Sequence, residues 1–501
     1  MARSGGIDSA LARGHGSRIM LDLRPVGFVV GLLVVVMGVS MMVPAAVDLA
    51  LADPNGWDVL EAAILTLLAG SMVTLACANG VKGQLNLRQA FVLTFALWLA
   101  LSFFGAMPFL FGAPRLGLTD ALFESVSGIT TTGSTVIVGL DGMPAGMNLW
   151  RGMMNWLGGL GIAFIAMIFL PVMRVGGMQF FRTEGFDTMG KVLPRATDIA
   201  WALLQVYVGL TAVCGLTYLA LGMSVLDATV NAMATIATGG FSPADASFGK
   251  YPGAAEYAGA LFMFLGSLPY IRFAQMVNGA PTALWRDAQL RALTRWLAYA
   301  VAMVVLWRLM TSDQAAEQVF REALFNVTSI FTGTGFFSGS FGGWGGFAML
   351  VAFSVGMIGG CSGSSSGALS VFRVQVLFAA IVAQVRQIAA PHRVTAVRYD
   401  GRRVEDDVMN ALILYVTSYV LTIGVLSVLM TLTGVDTLSA LFGIWTSLGN
   451  IGYGYGPLVA PTGTFIDFPE AAKWLMIVAM LMGRLALLAV FVLVLPRFWR
   501  A

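Results

Sequence analysis

The stretch Asp120-Ala-Leu-Phe-Glu-Ser-Val-Ser-Gly-Ile-Thr-Thr-Thr-Gly133 decides the fold. It reads as a short helix that opens on an acid, in an N-cap or first-turn position, and runs into a Thr/Gly loop. A helix of roughly ten residues is too short to cross a bilayer, which takes about 20, so it must enter and return. The pattern recurs without gaps as Asp227-Ala-Thr-Val-Asn-Ala-Met-Ala-Thr-Ile-Ala-Thr-Gly-Gly240, Glu322-Ala-Leu-Phe-Asn-Val-Thr-Ser-Ile-Phe-Thr-Gly-Thr-Gly335 and Ser439-Ala-Leu-Phe-Gly-Ile-Trp-Thr-Ser-Leu-Gly-Asn-Ile-Gly452. Ala121, Ala228, Ala323 and Ala440 coincide, as do Gly133, Gly240, Gly335 and Gly452. Each copy lies between two long apolar runs. The chain therefore reads as four units of span, short helix, glycine loop and span.

Each short helix points the negative end of its dipole into its loop. Glycine there frees the backbone from ordinary φ/ψ limits, so successive carbonyls can face the same way. Four such loops around one axis would make rings of carbonyl oxygen that replace the water shell of a monovalent cation. Irregular backbone at membrane depth is tolerated where it lines such a cavity. The candidate ion-binding residues are Thr131, Thr132 and Gly133; Thr238, Gly239 and Gly240; Gly333, Thr334 and Gly335; and Asn450, Ile451 and Gly452.

Composition agrees with a lipid setting. Of 501 residues, 58% are hydrophobic and only 11% charged, against about 25% charged in soluble globular proteins. A net charge of +3 leaves no electrostatic footprint for nucleic acid. Two histidines, His15 and His392, and three scattered cysteines, Cys77, Cys214 and Cys361, argue against a zinc, haem or disulfide framework. Ten apolar runs of spanning or near-spanning length cover 26–51, 59–78, 90–112, 153–173, 199–223, 257–277, 293–310, 347–384, 408–432 and 474–495. The expected fold is an all-α polytopic membrane protein of ten spans. Residues 1–88 hold two extra spans, and the four units occupy 89–196, 197–290, 291–407 and 408–501 around one central pore.

Most of the 29 Lys and Arg residues, including Arg174, Arg182, Lys191, Arg195, Arg386, Arg393, Arg398, Arg402 and Arg403, fall on one side. By the positive-inside bias that side is cytoplasmic and holds both termini. Arg115, Arg151, Lys250, Arg321 and Lys473 remain outside among acids such as Asp120, Glu124, Asp141, Asp227 and Asp245. Two readings of those acids stand side by side, a cation-concentrating mouth and plain loop solvation.

The run 347–384 is too long for one span and contains Gly359, Gly360, Cys361, Ser362, Gly363, Ser364, Ser365, Ser366 and Gly367. That polar, glycine-rich segment should break the helix at depth and can adopt two packings, as a gate requires. Arg484 lies inside the last run, where an unpaired charge is expensive. It should face the pore or pair with loop carbonyls, with snorkelling as the alternative. Arg272 and Arg373 lie nearer the cytoplasmic ends and are expected to snorkel. Gly363-Ser364-Ser365-Ser366-Gly367 also spells G-x-S-x-G, but no strand precedes it and neither histidine is near a span, so a hydrolase is set aside. No G-x-x-x-x-G-K-[ST] is present, so nucleotide control would come from a partner.

The sequence resembles the TrkH-type subunit of the Trk/Ktr/HKT potassium-transporter superfamily over nearly its whole length. Besides Leu118–Gly133, which contains the first quoted stretch, the resemblance rests on Trp156-Leu-Gly-Gly-Leu-Gly-Ile162, Val175-Gly-Gly-Met-Gln179, Thr235-Ile-Ala-Thr-Gly-Gly-Phe-Ser242, Gly359-Gly-Cys-Ser-Gly-Ser364, Met482-Gly-Arg-Leu485 and Pro496-Arg-Phe-Trp-Arg500. It implies a pseudo-fourfold pore with filter glycines Gly133, Gly240, Gly335 and Gly452, and a homodimer in a bacterial cytoplasmic membrane. It also implies a cytoplasmic TrkA-type nucleotide-binding ring as regulator, and a gate at the 359–367 loop just below the filter. Some relatives carry Ser at the first filter position, which accompanies sodium permeation; Gly133 favours potassium. Two departures stand out. Relatives often have Gly-Gly-x-Lys where this chain has Gly367-Ala-Leu-Ser370, and Gly-Arg-Leu-Glu where it has Gly483-Arg484-Leu485-Ala486.

The expected activity is passive potassium uptake with no organic cofactor and no enzymatic step. A secondary transporter with broken helices, a less selective K+/Na+ pathway and a non-conducting sensor are the alternatives. The basic loops around 174–195 and 386–403 serve either as the partner's docking surface or only as topology signals.

Overall fold

The structure is a computed structural model that describes residues 22–80, 85–168, 196–390, 392, 396–485 and 487–500. It is helical apart from a two-stranded antiparallel hairpin pairing Arg398–Tyr399 with Arg402–Arg403. Seven described helices are long and apolar enough to cross a membrane: Arg24–Ala50, Asn55–Cys77, Arg88–Phe111, Ala200–Ala220, Ala288–Thr311, Val371–Ala389 and Asp406–Thr431. An eighth crossing is possible if Ala254–Gly266 and Tyr270–Val277, bent by 89°, count as one span.

The other two of the ten expected runs do not form one continuous described span. The run 153–173 starts in helix Ala145–Ile168 and continues outside the described residues. The run 474–495 divides into Glu470–Arg484 and Leu487–Val494. The long run 347–384 is two helices, Gly346–Ile358 and Val371–Ala389, joined by an irregular loop.

The first two spans pack closely because small residues face each other. A Cβ on Gly31 would sit 2.7 Å from the Thr74 nitrogen, and one on Gly70 would sit 2.8 Å from the Val35 nitrogen. Dispersion between backbones drives such contacts where lipid offers no hydrophobic gain. Asp48 then docks this pair onto the rest. Its buried carboxylate accepts from the Asn55 amide at 2.7 Å and from the Gly146 backbone N–H.

Four short helices carry the quoted stretches: Leu118–Ile129, Val225–Ile236, Ala316–Thr332 and Thr437–Gly449. Asp120, Asp227 and Ser439 lie in first turns, while the caps are Gly117, Ser224 and Asp436. The Ser224 hydroxyl accepts from the Asp227 N–H, and Asp436 accepts from Leu438 and Ser439. The third helix, with 17 residues, is longer than expected; it begins at Ala316, so Glu322 lies in its interior.

Candidate cation-conduction site

Each short helix ends the same way. Two residues spaced two apart take left-handed φ: Thr131 (52°) and Gly133 (85°), Thr238 (49°) and Gly240 (73°), Gly333 (72°) and Gly335 (85°), Asn450 (50°) and Gly452 (84°). The intervening residue donates its N–H five residues back, as Thr132 to Ser127, Gly239 to Ala234, Thr334 to Ser329 and Ile451 to Thr446, at 2.8 to 2.9 Å. This is the Schellman ending of a helix, in which the left-handed residue lets the chain reverse while freed carbonyls find donors. The second left-handed residue turns the chain again, and only glycine does so without steric cost.

The four loops meet in cyclic order. A Cβ on Gly133 would strike the Gly239 carbonyl oxygen, one on Gly240 that of Thr334, one on Gly335 that of Ile451, and one on Gly452 that of Thr132. Each glycine thus abuts a carbonyl of the next loop, and the fourth returns to the first. Thr131, Thr132, Thr238, Thr334 and Asn450 are fully buried. The Asn450 amide donates to the Thr132 hydroxyl at 2.8 Å and to the Met480 carbonyl at 3.0 Å. Hydroxyl pairs brace two of the loops, Thr130 with Thr132 at 2.8 Å and Thr332 with Thr334 at 2.7 Å.

Gly133, Gly240, Gly335 and Gly452 all line one cavity of about 640 Å³, beside Asp245, Arg151, Tyr453 and Tyr455. The aromatic, glycine-rich sequence after Gly452 thus forms part of the cavity wall. Glu124 and Arg151 make a fully buried ion pair at 2.8 Å behind the first loop. Glu124 also accepts from the Thr135 hydroxyl at 2.9 Å and the Val136 N–H at 3.1 Å, while Arg151 donates to the Ser242 carbonyl at 2.8 Å. Through Ser242 the pair reaches the second unit, and every nitrogen and oxygen of the two head groups has a partner, as a buried pair requires.

The acids expected near this mouth are less free than their number suggests. All five basic residues expected there are paired: Arg115 with Asp58, Arg151 with Glu124, Lys250 with Asp227 and Asp141, Arg321 with Glu256 and Glu317, and Lys473 with Asp120. Burial works against the Lys250 ammonium, yet the hydrogen bonds it donates to the Asp227 and Asp141 carboxylates outweigh it and raise its pKa above the ordinary lysine value. Asp245 instead accepts from the Gly139 and Leu140 N–H groups at 3.0 and 3.1 Å.

The 359–370 loop lies against the four loops on another face. The Ser365 hydroxyl is 3.1 Å from the Ile236 carbonyl and 3.0 Å from the Thr238 hydroxyl, and Ser366 donates to the Thr332 carbonyl. A Cβ on Gly367 would meet the Gly449 carbonyl oxygen. Arg484 supplies the contact with the first unit. It donates to the Ser365 carbonyl at 2.9 Å, to the Thr130 carbonyl and to the Thr131 hydroxyl. Of its two expected placements, the carbonyl pairing is the one found. Gly359, Gly360, Cys361, Ser362, Gly363 and Ser364 complete the loop, with Cys361 and Ser364 buried.

One expectation on arginine is corrected. Arg373 does not snorkel: it is 6% exposed, donates to the Leu369 carbonyl at 2.7 Å and lies 4.1 Å above the Tyr415 ring, a local acceptor nearer than bulk water. Arg272 pairs with Asp287 at 2.7 Å. The motif Val175–Gln179, the basic loop 174–195, His15, Arg393 and Ala486 lie outside the described residues. Among the described residues no cluster of His, Cys, Asp or Glu could hold a metal ion.

Sequence reading missed Asn155 and Tyr270. Asn155 donates to the Gly128 carbonyl at 2.8 Å and accepts from the Phe241 N–H at 3.0 Å, joining two loops. Its signal was an amide inside an apolar run, just before the Trp156 motif. Tyr270 donates to the Ile236 carbonyl at 2.8 Å.

Helices of membrane-crossing length gathered around four glycine loops that touch one another through carbonyls define a multi-pass membrane protein. Residues 57–500 match the TrkH family model, described as a cation transport protein. The chain is 38% identical over 478 residues to the Trk system potassium uptake protein TrkI of Halomonas elongata, covering 95% of this chain and 97% of that one. It is 33% identical to the Trk system potassium uptake protein TrkH of Escherichia coli K12, covering 96% of this chain and all of the relative. The crystal structure of the potassium transporter TrkH from Vibrio parahaemolyticus superposes with a TM-score of 0.87 at 31% identity, over 96% of this chain and 100% of that one. The chain belongs to the TrkH family, and it is a transport protein rather than an enzyme.

Proposed function

We propose that this protein is a potassium-selective uptake pathway in which the four glycine loops are the filter and the 359–370 loop is the gate. The observation that carries this reading is the cyclic contact of Gly133, Gly240, Gly335 and Gly452 with carbonyls of the neighbouring loops at one cavity floor. Four matched helix endings, each with the same pair of left-handed residues, support a pseudo-fourfold arrangement of the units 89–196, 197–290, 291–407 and 408–501. The two spans of 1–88 stand outside it, giving ten spans in all.

In this mechanism potassium leaves water in the outer cavity and is taken over by carbonyl oxygens at the loops. It then waits on the 359–370 loop and Arg484. Movement of that loop away from Thr238, Thr332 and Gly449 opens the path. An inside-negative potential contributes about 2.3 kcal/mol per charge per 100 mV, enough to drive accumulation without nucleotide hydrolysis in this chain. The potassium-uptake names of the relatives support potassium as the cargo. The resemblance supports a homodimer in the bacterial inner membrane with both termini cytoplasmic, and a TrkA-type ring docking on the basic loops.

The test is ion flux from protein reconstituted in liposomes under potassium, rubidium, sodium and lithium gradients. Potassium and rubidium should pass well ahead of sodium and lithium, and Gly133→Ser should erode that preference with expression intact. Accumulation of an organic solute, or a preference unmoved by Gly133→Ser, would count against the reading.

A further inference from the structure

The 359–370 loop is held from the side as well as from the filter. The Cys361 N–H donates to the Ser267 carbonyl at 3.0 Å, and the Gly363 carbonyl accepts from the Tyr270 N–H at 3.1 Å. Between them, the Ser362 N–H donates to the Gln289 side-chain oxygen at 2.8 Å. The Tyr270 hydroxyl also lies 3.2 Å from that of Ser365. Ser267 and Tyr270 flank the break at which the chain turns by 89° between Ala254–Gly266 and Tyr270–Val277.

These grips belong to one connected piece. Gln289 is 2% exposed and opens helix Ala288–Thr311; its N–H donates to Asp287 at 2.8 Å. The other Asp287 oxygen pairs with Arg272 of the turned helix at 2.7 Å. Displacing Tyr270–Val277 therefore shifts both Tyr270 and, through Arg272 and Asp287, the start of the helix that carries Gln289. Neither gripping side chain lies on the loop's own flanking helices.

We propose that Tyr270 and Gln289 are positioning residues that hold the 359–370 loop closed, with the turned helix Tyr270–Val277 as the lever that releases it. This rests on the reading of that loop as the gate. A backbone N–H taken out of water needs a partner, and Gln289 supplies it to Ser362 in the closed arrangement. Tyr270 adds its own N–H and a hydroxyl reaching Ser365. The Tyr270 ring packs edge-on against Tyr207 with centroids 5.6 Å apart, so Phe at this position keeps the packing and loses only the hydroxyl, with its bond to the Ile236 carbonyl and its contact with Ser365.

The test is single-channel recording of the full-length protein in planar bilayers, comparing wild type with Tyr270→Phe, Gln289→Met and Gln289→Glu. Tyr270→Phe and Gln289→Met should each raise the open-to-closed ratio about fivefold, the worth of one net hydrogen bond. Unitary conductance and the potassium-over-sodium preference should stay as in wild type. Gln289→Glu keeps an acceptor for Ser362 and should restore the wild-type ratio. An unchanged ratio in Tyr270→Phe, which keeps its ring and carries the test even if Gln289→Met misfolds, would overturn the proposal. So would altered unitary conductance with no change in the ratio. Deletion of residues 362–366 separates the two levels. If the deletion leaves the ratio unchanged, the gate reading itself fails; if it raises the ratio while both point variants stay at wild type, only the lever fails.

Discussion

The Arg484 guanidinium donates to the Ser365 carbonyl at 2.9 Å, though the two residues are 119 positions apart in the chain. The same side chain bonds Thr130 and Thr131, so one cation ties the candidate gate to the first filter loop. Arg484→Gln removes that tie and a positive charge from the cation path. Resting rubidium uptake into proteoliposomes should rise severalfold, with the order of ion preference preserved. Uptake equal to wild type at equal protein would show that the tie does not hold the gate.

Gly335 and Gly139 share nearly the same backbone, at φ of 85° and 84°, but not the same surroundings. A Cβ on Gly335 meets the Ile451 carbonyl; one on Gly139 meets nothing within 4 Å. Gly139→Ala should therefore cost only backbone strain, about 1 kcal/mol. Gly335→Ala should cost clearly more and also lower the potassium-over-sodium flux ratio. Thermal unfolding in detergent and paired flux assays separate the two effects; equal losses would deny the close approach.

The Glu124–Arg151 pair is buried on both sides. Glu124→Gln leaves the Arg151 charge without its counter-ion and should cost about 3–5 kcal/mol. Pairing it with Arg151→Met should recover part of that loss, since no uncompensated charge remains. Melting temperatures of the two variants check this, and a double variant less stable than the single one would contradict it.

Ala368 stands at φ 61° in the 359–370 loop. Alanine there is strained by about 1 kcal/mol. Ala368→Gly should be neutral or stabilising in a melting experiment, unlike the loss of about 1 kcal/mol expected for the same change inside a helix. A loss of that helical size would mean that the turn costs alanine nothing.

Composition and repeat spacing made the helical membrane architecture readable, because lipid demands long apolar helices and a four-copy register survives in Ala121, Ala228, Ala323 and Ala440. The resemblance supplied the family. Side-chain partners were less legible. Glu124 and Arg151 are 27 residues apart and Arg151 reaches Ser242 across 91, so no local pattern announces the pairing. Snorkelling was the natural reading of Arg373 from depth alone, but depth ignores the Leu369 carbonyl. The length of the third short helix was hidden for another reason. Residues 316–321 continue its helical pattern upstream of the repeated stretch, so the repeat marks only part of the element.

The circle of glycine contacts also governs when the ring of loops can close. Its last link joins the loop of Asn450 and Gly452 to that of Thr132, 318 positions earlier at the Asn450–Thr132 bond. During synthesis the first and third loops must wait, each with one neighbour missing, until the fourth has entered the membrane. A nascent chain that stalls before Asn450 would have most of its spans but no ring. Quality control during biogenesis can thus read completion of this protein at a single point, the meeting of its last loop with its first.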